Sequence, residues 1–417
     1  MSISVRYIYS ACVVITTPDL KIVCDPWFTD GIFDGSWYTF PRLNDPLTKI
    51  GDVDYIYISH IHPDHYDAET LKAYQEKYGK KKLLIGNFPC NYLLKKIQND
   101  GFDVEVIEAK QIKDTVLHIF PNDTGSINDI DTALIIQYKD SSVINMNDCV
   151  YNPDHVSKIK ALVPNPDIAL LAYTGASAYP QTFYPQGATL DAKAEERKNI
   201  YLERYKKMNA HLGAKVNLPF AGQYMLGGKL NDMNFSRGVA DAVEVTEFDP
   251  KAIIMADGGD AEISTDSLIA TRKRTTKFSM EEYQKRIDEI KDQPLAYETF
   301  TNIPEEDIPF SRLIRAAYQK ALAKSEADFD YYFCIKLSDG FHVLNANSNK
   351  QEYHLEQDVS KLSPRSEIYI DYRYLYGLLT GVFHWNNAYV GSMYMTRREP
   401  DQYYKEVQDF LNFLAVL

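Results

Sequence analysis

The sequence predicts an α/β domain followed by a smaller α+β domain, and three observations carry that prediction. Short apolar strands alternate with helical stretches through residues 55–109. One of those strands runs straight into a burst of histidine and carboxylate, Tyr55-Ile-Tyr-Ile-Ser-His-Ile-His-Pro-Asp-His-Tyr-Asp67. The last part of the chain, from about Ala270, has none of these motifs and reads as helices bracketing short strands. A chain of 417 residues is long for one domain, and 45% hydrophobic content suits globular structure throughout. The expected division is a metal-binding domain over 1–268, a helical linker over 269–309 and a small α+β domain over 310–417.

Taken in order, residues 3–24 read as two strands around a turn. Val5 to Val14 is apolar and β-branched, Thr17-Pro-Asp-Leu20 supplies turn chemistry, and Lys21 to Cys24 resumes the strand pattern. Asp25-Pro26-Trp27-Phe28 then opens a loop holding Phe33, Trp37, Tyr38 and Phe40, which is either a substrate rim or a flap packed on the core. Tyr55 to Ser59 reads as a buried strand, and Asp67 to Tyr78 as a helix with Asp67 at its N-cap. Lys82 to Gly86 is a strand, Cys90 to Asn99 a helix stopped by Gly101, and Val104 to Ala109 another strand. Strands follow at Thr115 to Phe120, Thr132 to Tyr138 and Ser142 to Met146, the last ending in Asn147-Asp148-Cys149. A charged helix spans Asp191 to Leu212, with one apolar face and His211 complementing its C-terminus. Ala252 to Ala256, running into Asp257-Gly-Gly-Asp260, closes the first domain. Helices are expected at Phe278 to Lys291, Phe310 to Ser325 and Asp401 to Leu417, with strand-like stretches at Tyr331 to Lys336, His342 to Asn345 and Glu367 to Tyr372, continued by Tyr374 to Leu379 and Tyr389 to Tyr394. Pro294 to Asp307 reads as a linker, and His342 and His384 as core or surface residues rather than ligands.

The chemistry sits in the loop after Tyr55 to Ser59. Imidazole and carboxylate are ligands that suit zinc, iron or manganese, and here His60, His62, Asp64 and His65 fall within six positions. Alternation on an extended segment puts His60 and His62 on one side, and the turn at Pro63 redirects Asp64 and His65. One loop can therefore serve one or two metals. A polar surface loop would have to gather three of the chain's nine histidines by chance directly after a strand.

Composition narrows the partners. A net charge of −13 gives no general attraction to nucleic acid or an anionic membrane. No apolar run approaches the roughly 18 residues that span a bilayer, and the N-terminus lacks a signal peptide's apolar core. Five cysteines without a Cys-x-x-Cys fit a reducing compartment, so a cytoplasmic address is expected. The 31 tyrosines suit sugar-binding clefts or sheet core equally.

The His-x-His-x-Asp-His run between a strand and a helix resembles the metallo-β-lactamase superfamily. That resemblance implies an αββα sandwich with the metals at the strand ends between two sheets. It also implies that Asp148, ending a later strand, bridges two metals, while the neighbouring Cys149 points the other way into packing. A narrower resemblance, to the catalytic domain of the CMP-N-acetylneuraminate hydroxylase family, rests on three stretches. They are Asp131-Thr-Ala-Leu-Ile-Ile-Gln-Tyr-Lys139 through Cys149, Gly175-Ala-Ser-Ala-Tyr-Pro180, and Asn217-Leu-Pro-Phe-Ala-Gly222. The last domain is faintly similar to a sterol-carrier-protein fold.

Two histidines of the superfamily pattern are missing. His118 lies inside its strand instead of after it, Asp123 stands about where the ligand is due, and Pro219-Phe-Ala-Gly222 replaces a late Pro-x-His. Either carboxylates such as Asp123 or Asp257 take over, giving an oxygen-richer site that favours iron or manganese over zinc, or one metal alone binds tightly. The expected ligands are His60, His62, Asp64, His65, Asp123 and Asp148, with Asp64 and Asp148 orienting the nucleophile. The favoured function is a metal-dependent hydrolase of a small, sugar-derived N-acyl substrate or sugar nucleotide. The alternative is a di-iron oxygenase with a separate redox partner, because the Rieske ligand pairs of the hydroxylase family are not in this sequence. A non-catalytic scaffold with a degenerate site comes third.

Overall fold

The computed structural model describes residues 2–124, 129–300 and 302–417, so Thr301 of the expected linker lies outside the described residues. Two sheets form the first part. The seven-stranded sheet runs in the order Ala261–Ser264, Ser4–Tyr9, Cys12–Thr16, Lys21–Cys24, Tyr55–Tyr57, Lys82–Ile85, Val104–Val106. The six-stranded sheet runs Val216–Phe220, Ile168–Ala172, Ser141–Asn145, Thr132–Tyr138, Thr115–Pro121, Ala109–Ile112. Both are mixed. In the first, the strands from Lys21–Cys24 outward are parallel, as the strand–helix alternation requires.

Period-two alternation builds the layers. In the Thr132–Tyr138 strand, Leu134 and Ile136 face the other sheet, while Ala133 and Ile135 face the helices outside. Val13, Ile15, Ile22 and Leu84 meet Leu134, Ile136, Leu170 and Leu218 between the sheets. The helices Pro153–Leu162 and Ala188–Leu212 cover one outer face through Val156, Ile159, Tyr205 and Met208. Ala68–Tyr78 and Tyr92–Asn99 cover the other through Leu71, Tyr74, Leu93 and Ile97. This is the expected αββα sandwich. Gly86 allows a close approach between the sheets: a Cβ there would lie 2.6 Å from Thr132 Cγ2.

Three expectations change. Val5 to Val14 is two strands, folded at Ser10 (φ 48) and Ala11 without a glycine or asparagine to announce the turn. The strand that closes the first sheet is Ala261–Ser264 on Ser4–Tyr9; Ala252 makes a single bridge to Asn217. Tyr372–Leu379 and Trp385–Val390 are helices, and strands at Tyr353–Glu356 and Met395–Glu399 complete a five-stranded sheet with Gly340–Asn345, Tyr332–Leu337 and Arg365–Tyr369.

The C-terminal part is welded to the sandwich. One continuous apolar cluster takes in Trp27, Phe33 and Trp37 from the first part and Phe310, Tyr374, Trp385 and Phe410 from the last. The intervening Met280–Ile290 helix is docked as well: Ile287 and Ile290 pack with Tyr38 and Phe40, and Arg286 Nη2 reaches Asp30 Oδ2 at 2.6 Å. Among the described residues no helix is long and apolar enough to cross a membrane.

The seam contains a titrating carboxyl. Asp34 has a left-handed backbone (φ 60) and accepts from Tyr374 Oη at 2.7 Å. Burial pushes its pKa up from 3.8 to about 6, against the lowering effect of that hydrogen bond. The folded chain therefore holds the proton where the unfolded chain has lost it, and stability falls as pH rises through that interval. Asp34→Asn keeps an acceptor for Tyr374, suits the left-handed backbone and removes the buried charge. Denaturant unfolding should show it more stable than the parent by about 1–2 kcal/mol near neutral pH and little changed at about pH 4. An equal gain at both pH values would mean that charge is not the cause.

Candidate metal centre

The site forms where Tyr55–Tyr57 and Thr132–Tyr138 end side by side between the sheets. Tyr57 Oη bonds Thr132 Oγ1 at 2.7 Å, Thr132 Oγ1 donates to Ser59 O at 2.9 Å, and Asn147 Nδ2 donates to Thr132 O at 3.2 Å. These bonds fix the histidine loop to the strand ends of the opposite sheet. Asp67 caps the following helix by accepting from Glu69 N and Thr70 N, which pins the other end of the loop.

The hydrogen-bond network then assigns the ring protons. Ser59 Oγ donates to Asp25 Oδ2 at 2.7 Å, so it accepts from His60 Nδ1 at 2.9 Å. His60 Nε2 therefore carries a lone pair. His62 Nε2 faces Asn386 Oδ1 at 2.9 Å and donates to it, which leaves the lone pair on His62 Nδ1. These two unprotonated nitrogens face each other at 2.9 Å. His65 Nδ1 donates to Asp25 Oδ2 at 3.0 Å, so its Nε2 faces Asp64 Oδ2 and Asp148 Oδ2, each 3.5 Å away. The His60 and His62 lone pairs meet with no proton to share between them, and the carboxylates beside His65 Nε2 call for positive charge, which a bound cation would supply to both.

The electrostatics separate the three rings. Burial, with His65 and His62 beside it, drives the His60 pKa well down, and burial with His65 lowers His62 to about 4. Burial would lower His65 too, but Asp148, Asp64 and Asp25 together outweigh it and raise it well above the ordinary value. Burial raises Asp64 to about 6. Asp148 is part-exposed, yet its Oδ1 is shut off from solvent and has no hydrogen-bond partner. An orphaned carboxylate oxygen beside histidines fits a metal ligand. His60, His65 and Asp148 each bring a ligand atom to within 4.8 Å of the others.

The predicted residues divide accordingly. His60, His62, Asp64, His65 and Asp148 are brought together. Asp123 is exposed, its carbonyl accepting from Asn152 Nδ2; the carboxylate near His60 is instead Asp131, 3.8 Å from Nδ1 and raised to about 7 by burial and then Asp148. Asp131 lies directly before the Thr132–Tyr138 strand, whereas Asp123 lies two residues past the end of the Thr115–Pro121 strand that pairs with it. Asp257 is raised to about 7 by burial among Arg274, Tyr7 and Asp241, away from the histidines. His118 stays in its strand beside Phe120, and Cys149 packs in the cluster of Met146 and Val156. After Phe220, where a late histidine was due, Tyr224 stacks on Trp37 at 3.4 Å and feels the charge of Asp64.

Three contributors were not foreseen. Asp25 holds both Ser59 and His65; its only signal was the Asp-Pro-Trp at a strand end. Asp131 was passed over for Asp123. Asn386 comes from the C-terminal part, in the Trp385–Val390 helix that His384 caps, and nothing local in the sequence marks it. His62 lies between two cavities. One of about 280 Å³ also holds Asp131, Asp148, Arg197 and Tyr201. The other, about 580 Å³, is walled by Ile61, Tyr66, Tyr92 and Phe413 with His384 and Asn386.

Comparison with known proteins places these residues in context. Residues 4–189 match the family described as "Beta-lactamase superfamily domain". A Mycobacterium tuberculosis (strain H37Rv) protein that bears the name of a Rieske 2Fe-2S iron-sulfur protein is 29% identical over 224 residues, 50% of this chain and 42% of that one. The cytidine monophosphate-N-acetylneuraminic acid hydroxylase of Danio rerio is 28% identical over 234 residues, 53% of this chain and 38% of that one. A solved metallo hydrolase from Ignicoccus hospitalis superposes with a TM-score of 0.44 at 16% identity, over 66% of this chain and 100% of that one. The chain spans less than half the length of the curated relatives it matches.

Proposed function

Because residues 4–189 form a β-lactamase superfamily domain, we propose that the protein is a metal-dependent hydrolase acting on a small, sugar-derived N-acyl compound. The observation that carries this reading is the orphaned Asp148 Oδ1 beside the facing His60 and His62 lone pairs and His65, at the edge of a cavity. One or two divalent metals would be held by His60 Nε2, His62 Nδ1, Asp64, His65 Nε2 and Asp148. A metal there lowers the pKa of a bound water and polarises a carbonyl or phosphoryl oxygen.

The chain's own groups do the rest. Asp25 and Ser59 hold His65 and His60 by their Nδ1 atoms, so that each Nε2 is aimed inward. Asn386 does the same for His62 through Nε2. A free oxygen of Asp64 or Asp148 orients the attacking water and accepts its proton. The aromatic wall of Phe33, Trp37 and Tyr224 limits solvent on one side.

A second reading is favoured by one observation. The donor set is rich in carboxylate, with Asp131 near Asp64 and Asp148, and oxygen donors favour iron or manganese over zinc. Oxygenation of the same class of substrate, with an external electron donor, follows from that. Metal analysis of protein purified without added metal, joined to assays of acetate release and oxygen uptake on N-acetylated sugars, separates the two. Hydrolysis expects zinc or manganese and acetate release without oxygen uptake. Two irons per chain with substrate-dependent oxygen uptake would transfer the assignment to the oxygenase.

A further inference from the structure

The helix Ala188–Leu212 treats its cations in two ways. Lys193, Lys198 and Lys206 are each paired with a glutamate three residues away, at 3.0, 2.8 and 2.6 Å. Arg197 and Arg204, seven residues apart and so on one face, have no ion pair within 4.0 Å among the described residues, in a chain with 58 acidic residues. Both line the 280 Å³ cavity that holds Asp148, Asp131 and His62. Between them lies Tyr201, with Arg197 Cζ 4.6 Å and Arg204 Cζ 5.4 Å from its ring centre, and Arg197 Nη2 donating to its hydroxyl at 2.6 Å. Arg197 Nε is cut off from solvent without any acceptor.

The arrangement is built into the fold. The hydroxyl end of Tyr201 packs on Gly175, whose Cβ, if present, would fall 2.5 Å from the ring; any side chain there would push the tyrosine and its two arginines away from the loop. Contact with the Tyr201 ring holds both guanidinium groups in place and engages one donor of Arg197, which leaves its Nε and the donors of Arg204 for a ligand. A buried donor with no partner costs stability, and it is retained where a ligand supplies the acceptor.

We propose that Arg197 and Arg204 form an anion subsite beside the metal centre, receiving a carboxylate or phosphate group of the substrate. This rests on the hydrolase reading for the identity of the neighbouring site and adds the charge of the molecule it takes. The planar fork of arginine suits either oxyanion, and the acidic metal ligands on the opposite wall leave these two side chains as the groups in the cavity that welcome negative charge. A substrate so held is fixed at its anionic end while its scissile bond reaches Asp148.

The test reads binding, so it stands apart from turnover. The full-length protein carrying its native metal is titrated calorimetrically with sodium acetate and, separately, with inorganic phosphate. At least one should bind, and the stronger names the oxyanion. The double substitution Arg197→Gln with Arg204→Gln should weaken that anion about 10-fold or more with metal content unchanged, as expected for lost charge-assisted bonds. Arg204→Gln alone, at an exposed position, cannot disturb the fold and should weaken it about 3-fold, a smaller share of the same interaction. If wild type binds neither anion, or binds them as the variants do, the subsite is refuted. Loss of hydrolysis with retained anion binding would instead count against the hydrolase reading alone.

Discussion

Asp148→Asn is expected to lower metal affinity by at least about 100-fold, because even groups behind the ligands typically cost 10–100-fold when changed. The substitution keeps size and shape and removes the charge from an oxygen that is buried, partnerless and beside His60 and His65. Cys149→Ser, one residue on, should leave metal content unchanged. Its side chain packs with Met146 and Val156, and burial pushes the thiol pKa well up. A hydroxyl in that apolar setting should cost about 1–2 kcal/mol of stability. Metal analysis after dialysis checks both variants. Equal metal loss in the two would mean that the strand end is turned the other way and that the thiol faces the site.

That pair also marks what was legible in the chain. His60, His62, Asp64 and His65 are contiguous, follow a strand and precede a capped helix, so local rules sufficed to gather them. Asp148 was legible as the terminus of a strand. Asp25 and Asp131 act through tertiary approach: one meets His65 across 40 residues, the other meets His60 across the two sheets. A lone aspartate beside a strand end looks the same whether or not a histidine lies opposite, so the sequence does not separate Asp123, past one strand, from Asp131, before the next. The hairpin at Ser10 was hidden for a related reason, since a residue with φ 48 stands where turn chemistry would place glycine or asparagine. The helix at Tyr372–Leu379 is apolar and tyrosine-rich, a composition that reads as strand, and packing against Asp34 and Tyr297 decides it.

A chain cut after residue 268 is expected to keep every proposed ligand and still fail as a protein. The sequence alone suggested a separable domain whose cut face would be sticky. The structure gives that face its contents. Trp27, Phe33 and Trp37 share one buried cluster with Tyr374, Trp385 and Phe410, and Thr396 N bonds Thr182 O at 2.8 Å across the same seam. Burying each large side chain is worth about 1.5–3 kcal/mol, so exposing several exceeds much of a typical total stability of about 5–15 kcal/mol. The shortened chain should therefore aggregate or unfold well below the temperature at which the parent melts. The cut would also remove Asn386, and a point variant separates that loss from the packing. Asn386→Ala leaves the seam intact but frees His62 Nε2, so either ring nitrogen can then carry the proton. Thermal unfolding of Asn386→Ala should match the parent, while metal affinity falls about 10-fold or more, in the range seen for outer-shell partners. A soluble, cooperatively melting 1–268 chain with parental metal affinity would show that the C-terminal part neither completes the core nor positions His62.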